Sequence, residues 1–203
     1  MSGDLQIKNR IVEGAEELFF KFGVSKVTME EISDELGMSK KTLYQYFPSK
    51  DELVKVVSDK TLNESNAFCS AISCDAHLNV SEKLKQMMNF IATMYARMGR
   101  SLLHDLRKNF PEIWKAVHEH RRRCILNDFG KMVHDGVQEG VFRKDIDENL
   151  LITIYLNTVE SMLSPDVLTE LPYTPAQVFE AISKIMFEGL LTQEGREKFC
   201  AYP

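Results

Sequence analysis

A short stretch of the chain concentrates side chains that can bind phosphate. Residues 39–50, SKKTLYQYFPSK, hold three lysines and two tyrosines and no acid. The whole chain carries 25 basic and 30 acidic side chains, a net charge of −5, so this window differs in sign from its surroundings. Clustered cationic and hydroxyl groups are typical of a surface that meets a nucleic-acid backbone. The alternative is a solvent-exposed helix face without a partner. The predicted elements around this window distinguish the two interpretations.

The other residues that could do chemistry form no catalytic pattern. The sequence has no glycine-rich phosphate loop, no nucleophile elbow and no helical His/Glu metal motif. His118 and His120 stand two apart and point to different faces of a helix, so they are not expected to bind one metal ion. The arginines at 121–123 are expected to lie on a solvent-exposed helix surface. We therefore expect no enzyme, no cofactor and no metal. Four cysteines match no zinc spacing and are expected to be reduced thiols: Cys69, Cys74, Cys124 and Cys200.

The phosphate-binding window lies inside a set of short, individually capped helices. A first helix is predicted to end at Gly23, and Thr28 with Glu31 forms a capping box that begins a second. Ser39 caps a third helix, which Pro48 ends by about Tyr46. Gly37 supplies the tight turn between the second and third helices, so the spacing predicts a helix-turn-helix. Four acids of the second helix are expected to face largely away from DNA: Glu30, Glu31, Asp34 and Glu35.

The remaining residues predict longer helices and no strand. The chain of 203 residues is 44% hydrophobic, as in ordinary soluble proteins, and has no apolar run long enough to span a membrane and no secretory signal. A cytoplasmic location is expected. The segments 147–163 and 175–191 are strongly apolar helices, and 164–173 is expected to be a proline-bearing loop. An all-helical enzyme and a helical scaffold for protein partners remain alternatives, which salt-dependent binding to duplex DNA would separate from a regulator.

The stretch from Phe19 to Leu53 resembles the DNA-binding signature of the tetracycline-repressor (TetR) family of bacterial regulators. The residues that carry this resemblance are G-x-S-K-x-T-L-Y-x-Y-F-x-S-K-x-E-L. It implies an all-α fold, with a three-helix helix-turn-helix domain over 4–50 and a larger helical ligand-binding and dimerisation domain over 51–203. Lys41 departs from the family pattern, and this added cation is expected to strengthen phosphate attraction or read a guanine edge. The full set of expected DNA-binding residues is Thr28, Ser39, Lys40, Lys41, Thr42, Tyr44, Tyr46 and Lys50.

The resemblance also implies a homodimer on double-stranded operator DNA and a cavity for a small ligand. The two apolar helices would form a four-helix bundle with the partner, and a charge at Val159 or Ile182 is expected to separate the protomers. Repression is expected rather than activation, with operator release on binding a mostly hydrophobic small molecule, neutral or weakly cationic. The residues expected to line the cavity are Met94, Met98, Phe110, Trp114, Phe129 and Tyr155.

Overall fold

The computed structural model describes residues 2–200, with side chains described over 4–197. The expectation for Cys200 therefore lies outside the described side chains. Over residues 2–200 there is no strand, only an isolated antiparallel bridge between Phe142 and Leu191, so the all-α prediction is confirmed. The elements are α1 Ser2–Phe22, α2 Met29–Glu35, α3 Lys40–Tyr46, α4 Lys50–Cys74, α5 Val80–Arg97, α6 Arg100–Asn109, α7 Pro111–Arg123, a π-helical segment Cys124–Phe129, α8 Gly130–Gln138, α9 Glu148–Met162, α10 Pro165–Glu170, α11 Pro175–Leu190 and α12 Gln193–Cys200.

The chain forms two compact units that each draw on separate parts of the sequence. The N-terminal unit contains the chain up to Glu64 together with Arg97–Lys115. The C-terminal unit contains Ser65–Ala96 and the described chain from Ala116 onward. Three helices contribute residues to both units: α4, α7 and, through Arg97 alone, α5.

The core of the N-terminal unit holds the short helices in place. Ile11 of α1, Ile32 of α2, Leu43 of α3 and Leu53 of α4 are all completely buried in one cluster. Burying each such side chain contributes about 2 kcal/mol, which short helices need because a helix of seven residues is unstable alone. Leu102 and Leu106 of α6 join the same cluster.

Hydrogen bonds hold the segment between α1 and α2 against α6 and the residue before it. Gly23 ends α1 with φ +87°, and a Cβ there would lie 2.7 Å from both Asp105 Oδ2 and Ser101 Cβ. The carboxylate of Asp105 accepts a hydrogen bond of 2.8 Å from the Ser25 N–H. The N–H of Gly99 donates to the Phe20 carbonyl at 2.7 Å. Glycine is therefore required at position 23 both for its backbone angle and for the close approach of α6.

Aromatic rings form much of the core of the C-terminal unit. The Phe129 ring lies 4.6 Å from the Tyr155 ring and 5.8 Å, edge to face, from that of Phe187. Tyr95 and Phe179 form a second pair with ring centroids 5.5 Å apart. Pairs in these tilted arrangements stabilise a core beyond the area they bury.

The structure differs from the sequence prediction in the second half of the chain. The expected loop over 164–173 is wrong, because α10 occupies Pro165–Glu170. Ser164 caps this helix, and Pro165 stands at its first position, where its missing N–H costs nothing. The π-helical segment interrupts what the periodicity predicts as one helix through Val133. Val159 and Ile182 are 3% and 6% exposed, so a charge at either would disrupt the core of the C-terminal unit.

Candidate nucleic-acid interface

The turn between α2 and α3 fixes how α3 is presented. Gly37 adopts φ +61°, and its N–H donates to the Asp34 carbonyl at 3.0 Å. The N–H of Met38 donates to the Ser33 carbonyl at 2.9 Å. Leu43 is the fully buried residue of α3 and packs in the core that contains Ile32. One face of α3 is thus anchored, and the opposite face is directed away from the core.

The start of α3 is built by two hydroxyl side chains. Ser39 Oγ accepts a hydrogen bond of 3.0 Å from the Thr42 N–H, and the two hydroxyl oxygens lie 2.8 Å apart. This is the geometry of a serine N-cap, which is worth about 1 kcal/mol. Both residues were predicted as DNA contacts, and both also define where the helix begins.

The outer face of α3 presents Lys41, Tyr44 and Gln45. These residues stand at i, i+3 and i+4, and all three side chains are exposed, Tyr44 to 48%. Within the described part of the chain, neither Lys41 nor Tyr44 makes a hydrogen bond or ion pair. We call these three residues the α3 face. Gln45 was missed by the sequence reasoning, although its spacing of four from Lys41 was a usable signal.

Three other predicted DNA-binding residues make contacts inside the protein. The Lys40 ammonium lies 2.6 Å from the Glu30 carboxylate in an exposed ion pair. Tyr46 donates its hydroxyl to Asp4 Oδ1 at 2.9 Å, and this hydrogen bond raises the pKa of Tyr46. The Lys50 ammonium donates to the Val27 carbonyl at 2.7 Å. Each of these side chains therefore has a structural partner in addition to any role on DNA.

The beginning of α2 is closed by the predicted capping box. The Glu31 N–H donates to Thr28 Oγ1 at 3.1 Å, and the Thr28 N–H donates to Glu31 Oε2 at 2.7 Å. The hydrogen bond from the Thr28 backbone is the main reason that the pKa of Glu31 is lowered. The N–H groups of Met29 and Glu30 are the first-turn donors left without a helical acceptor.

The acids of α2 do not all lie away from the lysines. Glu30 pairs with Lys40, so it sits beside the recognition helix. Glu31, Asp34 and Glu35 line an open cleft of about 580 Å³ with Leu18 and Phe22 of α1. Glu30 therefore does not lie away from α3, and the expectation that Glu31, Asp34 and Glu35 face away from DNA stays a prediction.

The six residues predicted to line a ligand cavity fall in both compact units. Met98, Phe110 and Trp114 are partly buried against the core of the N-terminal unit. Phe129 and Tyr155 belong to the C-terminal unit and contact each other, and half-buried Met94 belongs to the same unit. This assignment of the cavity stays a prediction.

The described residues contain no group of three or more His, Cys, Asp or Glu side chains that could hold a metal ion. Among the same residues, no helix is long and apolar enough to cross a membrane.

Comparisons with known proteins agree on the class of protein that this chain resembles. A family model described as "Bacterial regulatory proteins, tetR family" matches residues 11–57. The uncharacterized HTH-type transcriptional regulator YvaF of Bacillus subtilis (strain 168) is 27% identical over 170 residues, covering 82% of this chain and 87% of that protein. The nucleoid occlusion factor SlmA of Salmonella dublin is 26% identical over 174 residues, covering 78% and 81%. A transcriptional regulator from Saccharomonospora viridis, solved in complex with choline, shares the fold with TM-score 0.67 at 18% identity over 93% of this chain and 99% of that one.

The matching proteins are regulators and not enzymes. The capped α2 and α3, the glycine turn between them and the exposed α3 face all lie within the residues that the family model matches. Residues 11–57 thus form a DNA-binding domain of the TetR family, and the chain is similar over most of its length to an HTH-type transcriptional regulator.

Proposed function

We propose that this protein is a homodimeric repressor that releases its operator on binding a mostly hydrophobic small molecule. The observation that carries the proposal is the α3 face, where Lys41 and Tyr44 are exposed and unpaired within the described chain. An exposed lysine and tyrosine near the start of a recognition helix can reach base edges and phosphates in the major groove. Residues 4–50 would bind DNA, and 51–203 would dimerise and bind the ligand, in a cytoplasmic protein.

The eight predicted DNA-binding residues divide into two groups by the contacts they already make. Lys41 and Tyr44 are available for direct contact with DNA. The other six combine a structural contact with a possible phosphate contact, either as caps or as partners of acids and carbonyls: Thr28, Ser39, Lys40, Thr42, Tyr46 and Lys50. Phosphate contacts set affinity and register, whereas base contacts set sequence preference.

Support for a dimer comes from apolar side chains that one chain leaves exposed. Leu150 and Ile154 on α9 are 56% and 47% exposed, and Ile185 on α11 is 73% exposed. The helices α9 and α11 pack against each other, so these residues belong to neighbouring elements of one unit. A two-fold dimer would cover the same residues on both chains, because such an interface is self-complementary.

Support for a ligand site comes from the polar atoms of the aromatic core. Ser183 is completely buried, and its Oγ lies near the Tyr155 hydroxyl without a hydrogen bond of regular geometry to any described residue. Tyr155 is nearby, and burial raises the pKa of its hydroxyl. A buried hydroxyl without a partner is one that a polar group of a ligand could satisfy.

The ligand class follows from the surroundings of these hydroxyls. Phe129 and Phe187 supply apolar rings next to Tyr155. Aromatic walls accept hydrophobic molecules and also stabilise an organic cation over a ring face. The regulator from Saccharomonospora viridis solved with choline has the same fold. We therefore propose a largely apolar ligand that is neutral or weakly cationic.

Release follows from linkage between the two sites. A ligand that binds the DNA-free dimer better than the DNA-bound dimer must weaken operator affinity by the same factor. It would favour a dimer in which the two recognition helices no longer match half-sites about one helical turn apart.

A run-off transcription assay tests the proposal. The template carries the protein's binding site across a bacterial promoter, and purified protein is added with RNA polymerase. We expect the transcript to decrease as the protein saturates the site, and small apolar cations or neutral apolar molecules to restore it. An increase in transcript would show an activator, and an unchanged transcript would contradict a direct role at promoters.

A further inference from the structure

Two helices of the C-terminal unit face each other through a series of polar pairs. Ser65, Cys69 and Ser73 stand four residues apart on α4. His120, Cys124 and Asp128 stand four residues apart on α7 and the π-helical segment. Ser65 Oγ lies 2.9 Å from His120 Nε2. The same spacing of four on both elements then sets Cys69 opposite Cys124 and Ser73 opposite Asp128, and in both of these pairs the neighbouring side chain shifts the pKa of a thiol or carboxyl.

The imidazole of His120 is held in one orientation at one end of this series, one helical turn from the cysteines. Its Nε2 lies 2.9 Å from Ser65 Oγ, and its Nδ1 lies 2.9 Å from Asn66 Oδ1. Asn66 Oδ1 also accepts a hydrogen bond of 3.0 Å from Arg123 Nη2. Because this oxygen can only accept, Nδ1 carries the ring proton and Nε2 accepts from the serine hydroxyl.

The two thiols lie next to this histidine and differ in exposure. Cys124 Sγ is 3.7 Å from both ring nitrogens of His120. Cys69 is only 2% exposed, whereas Cys124 is partly exposed and provides the access from solvent. Cys124 is also the first residue of the π-helical segment, a departure from regular helix that often marks functional positions.

The hydrogen bond between the thiols favours the loss of one proton from the pair. The bond from Cys124 lowers the pKa of Cys69, and the same bond raises the pKa of Cys124. Burial lowers the pKa of His120, so its imidazole is neutral at physiological pH and can accept a proton. A pair of thiols in which one pKa is lowered, next to a neutral base, is the arrangement that oxidants attack.

A metal site does not explain this arrangement. Within the described residues there is no set of three or more potential ligands with the geometry to hold a metal ion. Disulfides that do form in reducing compartments are usually transient and catalytic or redox-sensing.

We propose that Cys69 and Cys124 are an oxidation site that closes to a disulfide on reaction with a hydroperoxide. The site would tie α4 to the π-helical segment by a covalent bond in place of a thiol hydrogen bond.

The reaction balances with hydrogen peroxide as the oxidant. The pair first loses one proton, which leaves the charge mainly on Cys69. When the shared proton then moves from Cys124 to Cys69, the more exposed Cys124 sulfur becomes the thiolate that attacks a peroxide oxygen. The O–O bond breaks, Cys124 becomes a sulfenic acid, and the leaving hydroxide takes a proton to become water. Cys69 then loses its proton through the neighbouring base and its sulfur attacks the Cys124 sulfur. The S–O bond breaks, the S–S bond forms and a second water leaves, so two thiols are oxidised while one peroxide is reduced.

A variant with only these two thiols provides the test. Cys74→Ser and Cys200→Ser together remove the other two cysteines and leave the pair untouched. After treatment with hydrogen peroxide, the protein is unfolded with an alkylating reagent present and its intact mass is measured. We expect a chain that is lighter by two hydrogens and carries no alkyl group, and recovery of two alkylation sites after treatment with dithiothreitol.

Two further variants serve as controls for the same measurement. Cys69→Ser in this background is expected to stop at a sulfenic acid on Cys124, which dimedone traps. Cys69→Ser with Cys124→Ser in the otherwise native chain is expected to form no internal disulfide. Persistence of both thiols, direct conversion to sulfinic acid, or cross-links only between chains in the two-thiol variant would overturn the proposal. None of these outcomes depends on DNA binding.

Discussion

A lysine ammonium has three N–H donors, so a lysine that already binds a protein acceptor has fewer donors and less freedom of position for a phosphate than an unpaired lysine. This distinction separates the cations of residues 39–50. Lys40 is paired with Glu30 and Lys50 donates to the Val27 carbonyl. Lys41 has no such partner among the described residues. We therefore expect Lys41, which the family pattern does not require, to be the principal cation on DNA.

Replacing Lys41 with alanine tests this distinction on DNA. Each phosphate contact releases counterions, so Lys41→Ala should reduce the slope of log affinity against log salt by about one unit and weaken all sequences alike. Lys144→Ala removes an exposed lysine from the C-terminal unit and is the matched control. Fluorescence anisotropy with labelled duplex over a salt series gives both slopes. Equal slopes for the two variants would remove Lys41 from the interface.

The lysine at position 50 should affect stability as well as DNA binding. Its hydrogen bond to the Val27 carbonyl joins the start of α4 to the segment before α2. Lys50→Ala should lower the free energy of unfolding by about 1 kcal/mol, because the carbonyl loses a charged donor. Urea titration measures this change, with Lys55→Ala, an exposed lysine on the same helix, as the control. A Lys50→Ala protein as stable as the control would show that the contact contributes nothing.

At the level of elements, sequence reasoning predicts the helix-turn-helix well because its signals are local. The caps at Thr28 and Ser39, the turn at Gly37 and the end of α3 after Tyr46 all depend on residues within a few positions of one another. The partners of Tyr46 and Lys50 stand 42 and 23 residues away, so no local pattern could have revealed them. Side-chain periodicity also cannot reveal the π-helical segment, since its apolar residues fit an ordinary helix.

The capping box of α2 predicts a pH dependence of stability. The folded-state pKa of Glu31 is lowered by hydrogen bonds from Thr28, so the ionised side chain stabilises the fold. This contribution is complete above the ordinary value of 4.5 and is lost as pH falls through the lowered folded-state value.

Glu31→Gln should reduce this acid sensitivity. Glutamine can also close a capping box, as Gln177 does with Thr174, so the variant should be close to wild type at neutral pH. Between neutral pH and about pH 3 it should lose less unfolding free energy than the wild type, because it has no carboxylate to protonate. Urea titrations at both pH values measure the difference, with Glu35→Gln on the same helix as control. An unchanged acid dependence would contradict the role of Glu31.

At the level of the whole molecule, the exposed apolar residues of α9 and α11 predict a dimer. Ile185→Glu should give monomers in sedimentation experiments at micromolar protein, because it places a charge on the proposed two-fold interface. The same variant should lose operator binding, since one recognition helix cannot hold two half-sites. Leu126→Glu, at another exposed apolar residue of the C-terminal unit, should remain dimeric. A monomeric wild type would contradict the dimer.

The most direct measurement is selection of binding sites from a pool of random duplex DNA by the purified protein. The account predicts enrichment of a sequence with two half-sites related by two-fold symmetry, their centres about one helical turn apart or a multiple of it. A protein with Lys41→Ala and Tyr44→Ala should lose this enrichment while remaining folded, because both side chains are exposed and make no hydrogen bond or ion pair with the described residues. Failure of the wild type to enrich any sequence, or equal enrichment by the double variant, would contradict recognition of DNA through the α3 face.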